Sequence, residues 1–163
     1  MVHRQEETLF TKLNMEKAKA RLEMFEIFVR GVPKAQGRPR IVRLGNGRAG
    51  LKDPETSRDW KNYVRLCVAQ DFPGAPLREP VALDLVFYLP IPKGFSRKRR
   101  KAAIAGELLP TGRPDIDNLA KAVLDALLGV AIEDDRLVVA LSAAKLYGPV
   151  PGVQIIIRRP FHV

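Results

Sequence analysis

Residues 112–136 read GRPDIDNLAKAVLDALLGVAIEDDR. Asp115 and Asp117 stand two residues apart at the mouth of an apolar helical pattern, and Glu133-Asp134-Asp135 follow just beyond it. Carboxylates gathered in one place repel, and each makes ionisation of the next harder. A divalent cation relieves that repulsion. Mg²⁺ takes oxygen ligands in near-octahedral geometry and keeps several waters, so two or three aspartates, water and a phosphate oxygen suffice to hold it. Such an ion helps to generate hydroxide and stabilises charge on a phosphate in the transition state. Lys121, spaced i,i+4 from Asp117 on one helical face, is placed to hold a phosphate or to offset the carboxylates. The chemistry suggested is metal-dependent phosphodiester hydrolysis. Each aspartate alone is better explained as a helix N-cap, and EDDR as a polar turn; the combination is what points to a site.

Composition narrows the alternatives. The only two histidines, His3 and His162, lie at the two ends of the 163-residue chain, which removes Ser-His-Asp triads, HExxH zinc sites and histidine-based nuclease chemistry. Cys67 is the single cysteine, so a disulfide framework or a CxxC zinc site within one chain is excluded, and its helical surroundings make it a small core residue. No apolar run approaches the ~20 residues that cross a bilayer. The mixed-charge N-terminus lacks the apolar stretch of a secretory signal. The expectation is a cytoplasmic protein without a membrane partner.

The formal charge is +10, and it is not spread evenly. Residues 30–52 hold seven Lys/Arg and no acid, residues 93–101 hold six and no acid, and the rest of the chain is net negative. Lys34, Arg38, Arg40 and Arg43 in the first segment, and Arg97, Lys98, Arg99, Arg100 and Lys101 in the second, suit contacts along a nucleic-acid backbone. A single basic run is more often a solvated surface; two runs favour a polyanionic partner.

Around these residues the chain reads as alternating elements. Residues 6–23 are a helix or a loose extension. Residues 24–32 alternate as a strand, and the basic Gly/Pro-rich segment after them is a loop or loose hairpin turning at Gly45-Asn46-Gly47. Residues 53–72 form a helix, with Asp53 as N-cap, Pro54 at its first position and Trp60, Val64, Cys67 and Val68 on its apolar face. A strand at 80–92, a short basic helix at 96–106 closed by Gly106, a helix at 115–129 and strands at 136–148 and 152–160 complete the order. Pro114 keeps Arg113 extended, so the chain reaches Asp115 non-helical. Ile116, Ala120, Val123, Leu124 and Leu127 form a stripe distinct from the polar column. These elements predict a single α+β domain at 24–163, with helices packed on a small mixed or antiparallel sheet, preceded by an N-terminal extension at 1–23.

RPDIDNLAKAVLDAL followed by EDDR resembles the RusA family of Holliday junction resolvases. VPKAQGRPR resembles that family's basic segment after its first strand, and GLKDPETSRDWKNYV the start of its first long helix. The similarity covers about residues 25–160. It implies a homodimer that binds four-way DNA junctions and nicks two strands symmetrically in recombination and repair, using Mg²⁺ or, as a plausible substitute, Mn²⁺. Asp115, Asp117 and Asp135 then match the metal-binding carboxylates and Lys121 the functional lysine. Asp134 shares the site or orients its neighbour, and Asn118 and Asp125 also occupy matching positions. Residues 1–23 precede the usual start of such chains. The rival readings are a nuclease that prefers flaps or forks, and a DNA-binding module whose aspartates only cap a helix.

Overall fold

The computed structural model describes residues 24–37, 40–43, 49–52 and 55–160. The extension at 1–23, the Asp53–Pro54 cap, Arg38 and the Gly45-Asn46-Gly47 turn lie outside them. Strand β1 (Met24–Arg30) buries Ile27 and Val29 and exposes Met24, Glu26 and Phe28, the period-2 pattern of a strand with one covered face. The basic segment forms an antiparallel hairpin, β2 (Arg40–Arg43) with β3 (Ala49–Lys52), as one of the two sequence readings expected. Helix α1 (Glu55–Asp71) buries Ser57, Trp60, Val64 and Val68, spaced three or four apart. Cys67 packs half-buried against the core.

Strand β4 (Val81–Pro90) buries every second residue from Val81 to Leu89. Helix α2 (Arg97–Ile104) starts at Ser96, whose hydroxyl accepts the Arg99 N–H, and Gly106 follows it at φ +75°, the left-handed conformation that ends a helix at little cost to glycine. Helix α3 (Ile116–Leu127), a 3₁₀ turn (Asp135–Leu137), β5 (Val138–Gly148) and β6 (Gly152–Arg158) close the chain.

The main sheet has the order β1-β6-β4-β5. The β1–β6 and β6–β4 pairs are antiparallel, whereas β4 and β5 are parallel, so the sheet is mixed. A parallel pair needs a crossover, and here the crossover carries both α2 and α3. Helices α1 and α3 lie side by side over one face of the sheet: Lys61 Nζ meets Asp125 Oδ2 at 3.4 Å, and an Arg65 Nη donates to the Leu128 carbonyl at 2.7 Å. Their apolar faces join Leu83, Leu85, Phe87, Val153 and Ile155 in one core.

The apolar stripe of α3 is wider and turned relative to the sequence reading. Leu119, Ala120, Ala122, Val123, Ala126 and Leu127 are buried, Leu124 is half-buried, and Ile116 is exposed. The cause is that α3 meets two partners, α1 and the sheet, so more of its circumference is covered than one apolar seam.

Gly152 pairs with Arg30 across β1 and β6, where there is no room for a side chain. A Cβ there would lie 2.7 Å from the Val29 carbonyl oxygen and overlap the Phe28 ring. Gly152→Ala is therefore expected to destabilise the fold by about 1–3 kcal/mol, read from urea unfolding.

Candidate active site

Helix α3 begins where the sequence reading placed it. The Arg113–Pro114 peptide is cis, and Asp115 at the N-cap position is extended, at φ −73° and ψ 141°. An aspartate there ordinarily accepts a first-turn N–H. Asp115 makes no such bond, and its side chain is exposed. Asp117, in the first turn where the helix dipole favours a carboxylate, is exposed too and accepts Asn118 Nδ2 at 3.3 Å. Lys121 is exposed one turn further on. Burial of the opposite face by Leu119, Val123 and Leu127 fixes the rotation of the helix, and with it the direction of this polar column.

Asp115 lines a cavity of about 660 Å³, together with Gln36, Arg113 and Asn118. Its far wall is the loop after β1. The Gln36 N–H donates to the Asn118 carbonyl at 2.8 Å, and the Gly37 N–H to Ser57 Oγ at 3.2 Å. Ser57 is buried, and this bond uses its hydroxyl. The loop that leads to the basic hairpin is thus tied to the first turns of α1 and α3, with Lys34 exposed on it.

The sequence reading missed a residue at this end of the sheet. Lys145 on β5 donates from Nζ to the carbonyls of Gly112 (2.9 Å) and Pro114 (3.0 Å), holding the segment that delivers Asp115. Its one signal was a single charge within VVALSAAKLYG. Arg113, which lines the cavity, was also missed. The second basic run is nearby: Arg97, Lys98, Arg99, Arg100 and Lys101 are all exposed on α2. The Arg99 guanidinium lies 4.1 Å from the centre of the Phe95 ring, and Phe95 packs edge-on to Tyr147 at 5.6 Å, which pins α2 to the end of β5. Of the first basic run, Arg40 and Arg43 fall on β2.

The other acidic group lies elsewhere in the chain. Asp134 caps the 3₁₀ turn, accepting the Arg136 backbone N–H and Nε at 2.9 Å each. The Arg136 side-chain bond, with the backbone bond second, holds the Asp134 carboxyl below the usual aspartate range. Asp135 is exposed, Glu133 pairs with Arg78 at 3.0 Å, and Asp125 pairs with Lys61. Asp115 and Asp135 flank the twelve residues of α3 and the turn after them. At ~1.5 Å per residue the helix alone spans about 18 Å. On the strand side, β5 runs seven residues from Val138 before reaching Lys145, about 23 Å. The chain therefore carries Asp115, Asp117 and Lys121 at the start of α3 and sets Asp134 and Asp135 at the opposite end. No three His, Cys, Asp or Glu side chains cluster as a metal site among the described residues.

The donor set at the α3 N-terminus still fits Mg²⁺. That ion is commonly held by one or two carboxylates with water and phosphate completing its shell. An uncapped Asp115 on the cavity and an exposed Asp117 two residues on supply two such carboxylates. Among the described residues no helix is long and apolar enough to cross a membrane.

Residues 30–158 match the family model of endodeoxyribonuclease RusA, a span that includes both acidic groups and every strand of the main sheet but β1, of which it takes in only Arg30. The chain is also 39% identical over 139 residues to the uncharacterized protein YqaN of Bacillus subtilis (strain 168), covering 84% of this chain and 97% of that one.

Lys145→Met removes both bonds to the 112–114 segment while retaining the length of the side chain. We expect a loss of about 1–2 kcal/mol in stability and faster amide exchange at residues 115–117, measured by hydrogen exchange against wild type.

Proposed function

Because the chain belongs to the RusA family of endodeoxyribonucleases, which act on branched DNA junctions, we propose that it is a Mg²⁺-dependent, junction-resolving endonuclease that works as a homodimer in DNA recombination and repair. The observation that carries the reading is the free carboxylate of Asp115 at an uncapped helix start, beside Asp117 and Lys121. Asp115 and Asp117 hold the metal. Bound there, Mg²⁺, or Mn²⁺ in its place, lowers the pKa of a coordinated water and offsets charge on the phosphate. Lys121 neutralises a phosphate oxygen as charge builds during hydrolysis. Lys34, Arg113 and the Arg97–Lys101 run hold neighbouring backbone phosphates, positioning the strand without reading its sequence. Arg38, Arg40 and Arg43 add further phosphate contacts, on the ground of their charge.

The separation of the two acidic groups supports a site completed across the dimer. β5 is an edge strand whose first half is uncovered, with Val139 60% and Leu141 48% exposed. Such an edge is a template for pairing with a second chain. Antiparallel pairing of two β5 strands about a two-fold axis near Ala140–Leu141 sets Asp135 of the partner subunit alongside Lys145–Tyr147, the end at which Asp115 stands. Because Asp134 is engaged by Arg136, Asp135 is the better third ligand.

Cleavage of a four-way junction, a flap, a fork and a linear duplex of the same sequence, in Mg²⁺ and in EDTA, tests the activity. Paired nicks on the junction are expected in Mg²⁺ alone, with Asp117→Asn reducing them about 10²–10³-fold. Faster cutting of flaps or forks would make the protein a nuclease of another preference. Tight junction binding without scission in Mg²⁺ or Mn²⁺ would leave a non-catalytic binder.

Mixing subunits tests the shared site. An Asp117→Asn subunit paired with an Asp135→Asn subunit contains one site with both carboxylates intact if the site spans two chains, and none if it lies within one. We expect two separately inactive proteins to recover single nicks when refolded together. Continued inactivity of the mixture would place all the ligands in one chain.

A further inference from the structure

Helices α1 and α3 cover one face of the main sheet. On the other face, the alternation and register of the strands place Phe28, Val86, Tyr88, Ala144, Leu146 and Ile156. None of the six is buried, and Phe28 is 42% exposed. The rings of Phe28 and Tyr88 meet edge-on at 5.9 Å, a large apolar surface at one end of this face. A sheet face of that character ordinarily packs against a further layer, and an apolar patch left open marks a place where something binds.

The chain itself supplies an occupant. Residues 1–23 lead into Met24, which belongs to this same face and is 55% exposed. They therefore arrive at one corner of it, where β1 begins. The opposite corner, at Tyr88 and Leu146, is three strands across and six residues along. At about 4.8 Å per strand and 3.3 Å per residue, the diagonal is about 24 Å. A helix of sixteen residues has that length at ~1.5 Å each, and residues 8–23 are sixteen. Leu9, Phe10 and Leu13 stand at its far end, within one turn and on one side. Counted back from Met24 along the diagonal, they fall over Val86, Tyr88, Ala144 and Leu146. Lys17, Lys19 and Arg21 lie nearer Met24. There the face is acidic: Glu26 is exposed, and it accepts a bond from Gln154 but forms no ion pair among the described residues. Length, point of entry and charge agree.

We propose that residues 8–23 cover the open face of their own sheet as a helix running from β1 to β5, seated by Leu9, Phe10 and Leu13 and steered past Glu26 by Lys17, Lys19 and Arg21. The segment lies before residue 30, where the family match begins, and adds a third layer to the shared domain. The candidate active site is on the other side of the sheet: Lys145, the neighbour of Leu146, reaches from there to Gly112 and Pro114. The cover therefore leaves the acidic residues and the edge of β5 accessible, and it does not depend on the nuclease reading.

Hydrogen exchange of the full-length protein is the first test. An isolated helix of this length is marginal in water, so amides at 9–22 gain lasting protection only by packing. In wild type we expect them to exchange at least about tenfold more slowly than a free peptide. That protection is expected to vanish when Leu9→Asp and Leu13→Asp are combined, and equally in Ala144→Asp. Ala144 is exposed, and changing it leaves the sequence of the segment untouched. Protection of β4 amides reports whether the sheet of each variant is intact, and where it is not, crosslinking decides. For this, in a Cys67→Ser background, Leu13→Cys is paired with Ala144→Cys or, as a control on α2, with Lys98→Cys, and treated with a short bismaleimide. Links within one chain are expected to form about tenfold more at 144 than at 98. Free-peptide exchange at 9–22 in wild type overturns the proposal, as does protection that survives either set of substitutions, or equal linking at 144 and 98. Links that join two chains overturn it in favour of a second copy as the occupant of the face.

Discussion

The parallel register of β4 and β5 is the constraint on which the arrangement depends. Two neighbouring strands that point the same way oblige the chain to travel back along the sheet between them. In this protein the return carries the basic helix, the loop through Pro110–Pro114 and the acidic helix. Val81 pairs with Val138 and Pro90 with Gly148, so the crossover leaves from one end of the sheet and comes back to the other. Asp115 stands near its departure and Asp135 at its return. The distance between them follows from strand and helix lengths and from no detail of side-chain packing. A chain that needs both groups at one place must fold the distance away or use a second copy of itself, and an edge strand with exposed Val139 and Leu141 is suited to the latter.

The same route sorts the charges. Asp115 and Asp117 are surrounded by the cationic parts of the molecule: the loop of Lys34 tied down through Gln36 and Asn118, Arg113 on the cavity wall, and α2 anchored through Arg99, Phe95 and Tyr147. The acids at the opposite end are mostly engaged with arginines, Asp134 with Arg136 and Glu133 with Arg78. Asp115 and Asp117 form no ion pair among the described residues, whereas Asp134 and Glu133 do, so two acidic clusters that look alike on paper differ electrostatically.

Much of this was legible in the residues alone. Alternation in MFEIFVR and VALDLVFYLP, prolines at element ends and Gly106 after the basic helix give the elements nearly to the residue, because each is a local rule about backbone geometry. Asp117 and Lys121 share a face by helical spacing, and the structure keeps them there. What escaped was non-local. The exposed position of Ile116 and the burial of Leu119, Ala122 and Ala126 depend on α3 having two partners, which periodicity does not count. The bonds from Lys145 join residues more than thirty positions apart. The distance from Asp115 to Asp135 is short in sequence and long in space because a helix lies between them, and only the strand order reveals that the chain does not double back. The hairpin turn and the extension at 1–23 fall outside the described residues, so those readings stand as they were made.

One feature of the sheet bears on how the protein is made. Strand β6, at residues 152–158, is the last in the chain and yet occupies an interior position, with β1 on one side and β4 on the other. Until those residues leave the ribosome, β1 has no neighbour and the sheet is two pieces. During synthesis the acidic helix and both basic segments therefore emerge well before there is a sheet to support them. A shortened translation product that carries every residue of the candidate site still lacks the strand that joins its halves. Fragments that stop short of residue 152 are left without the strand that bridges β1 and β4.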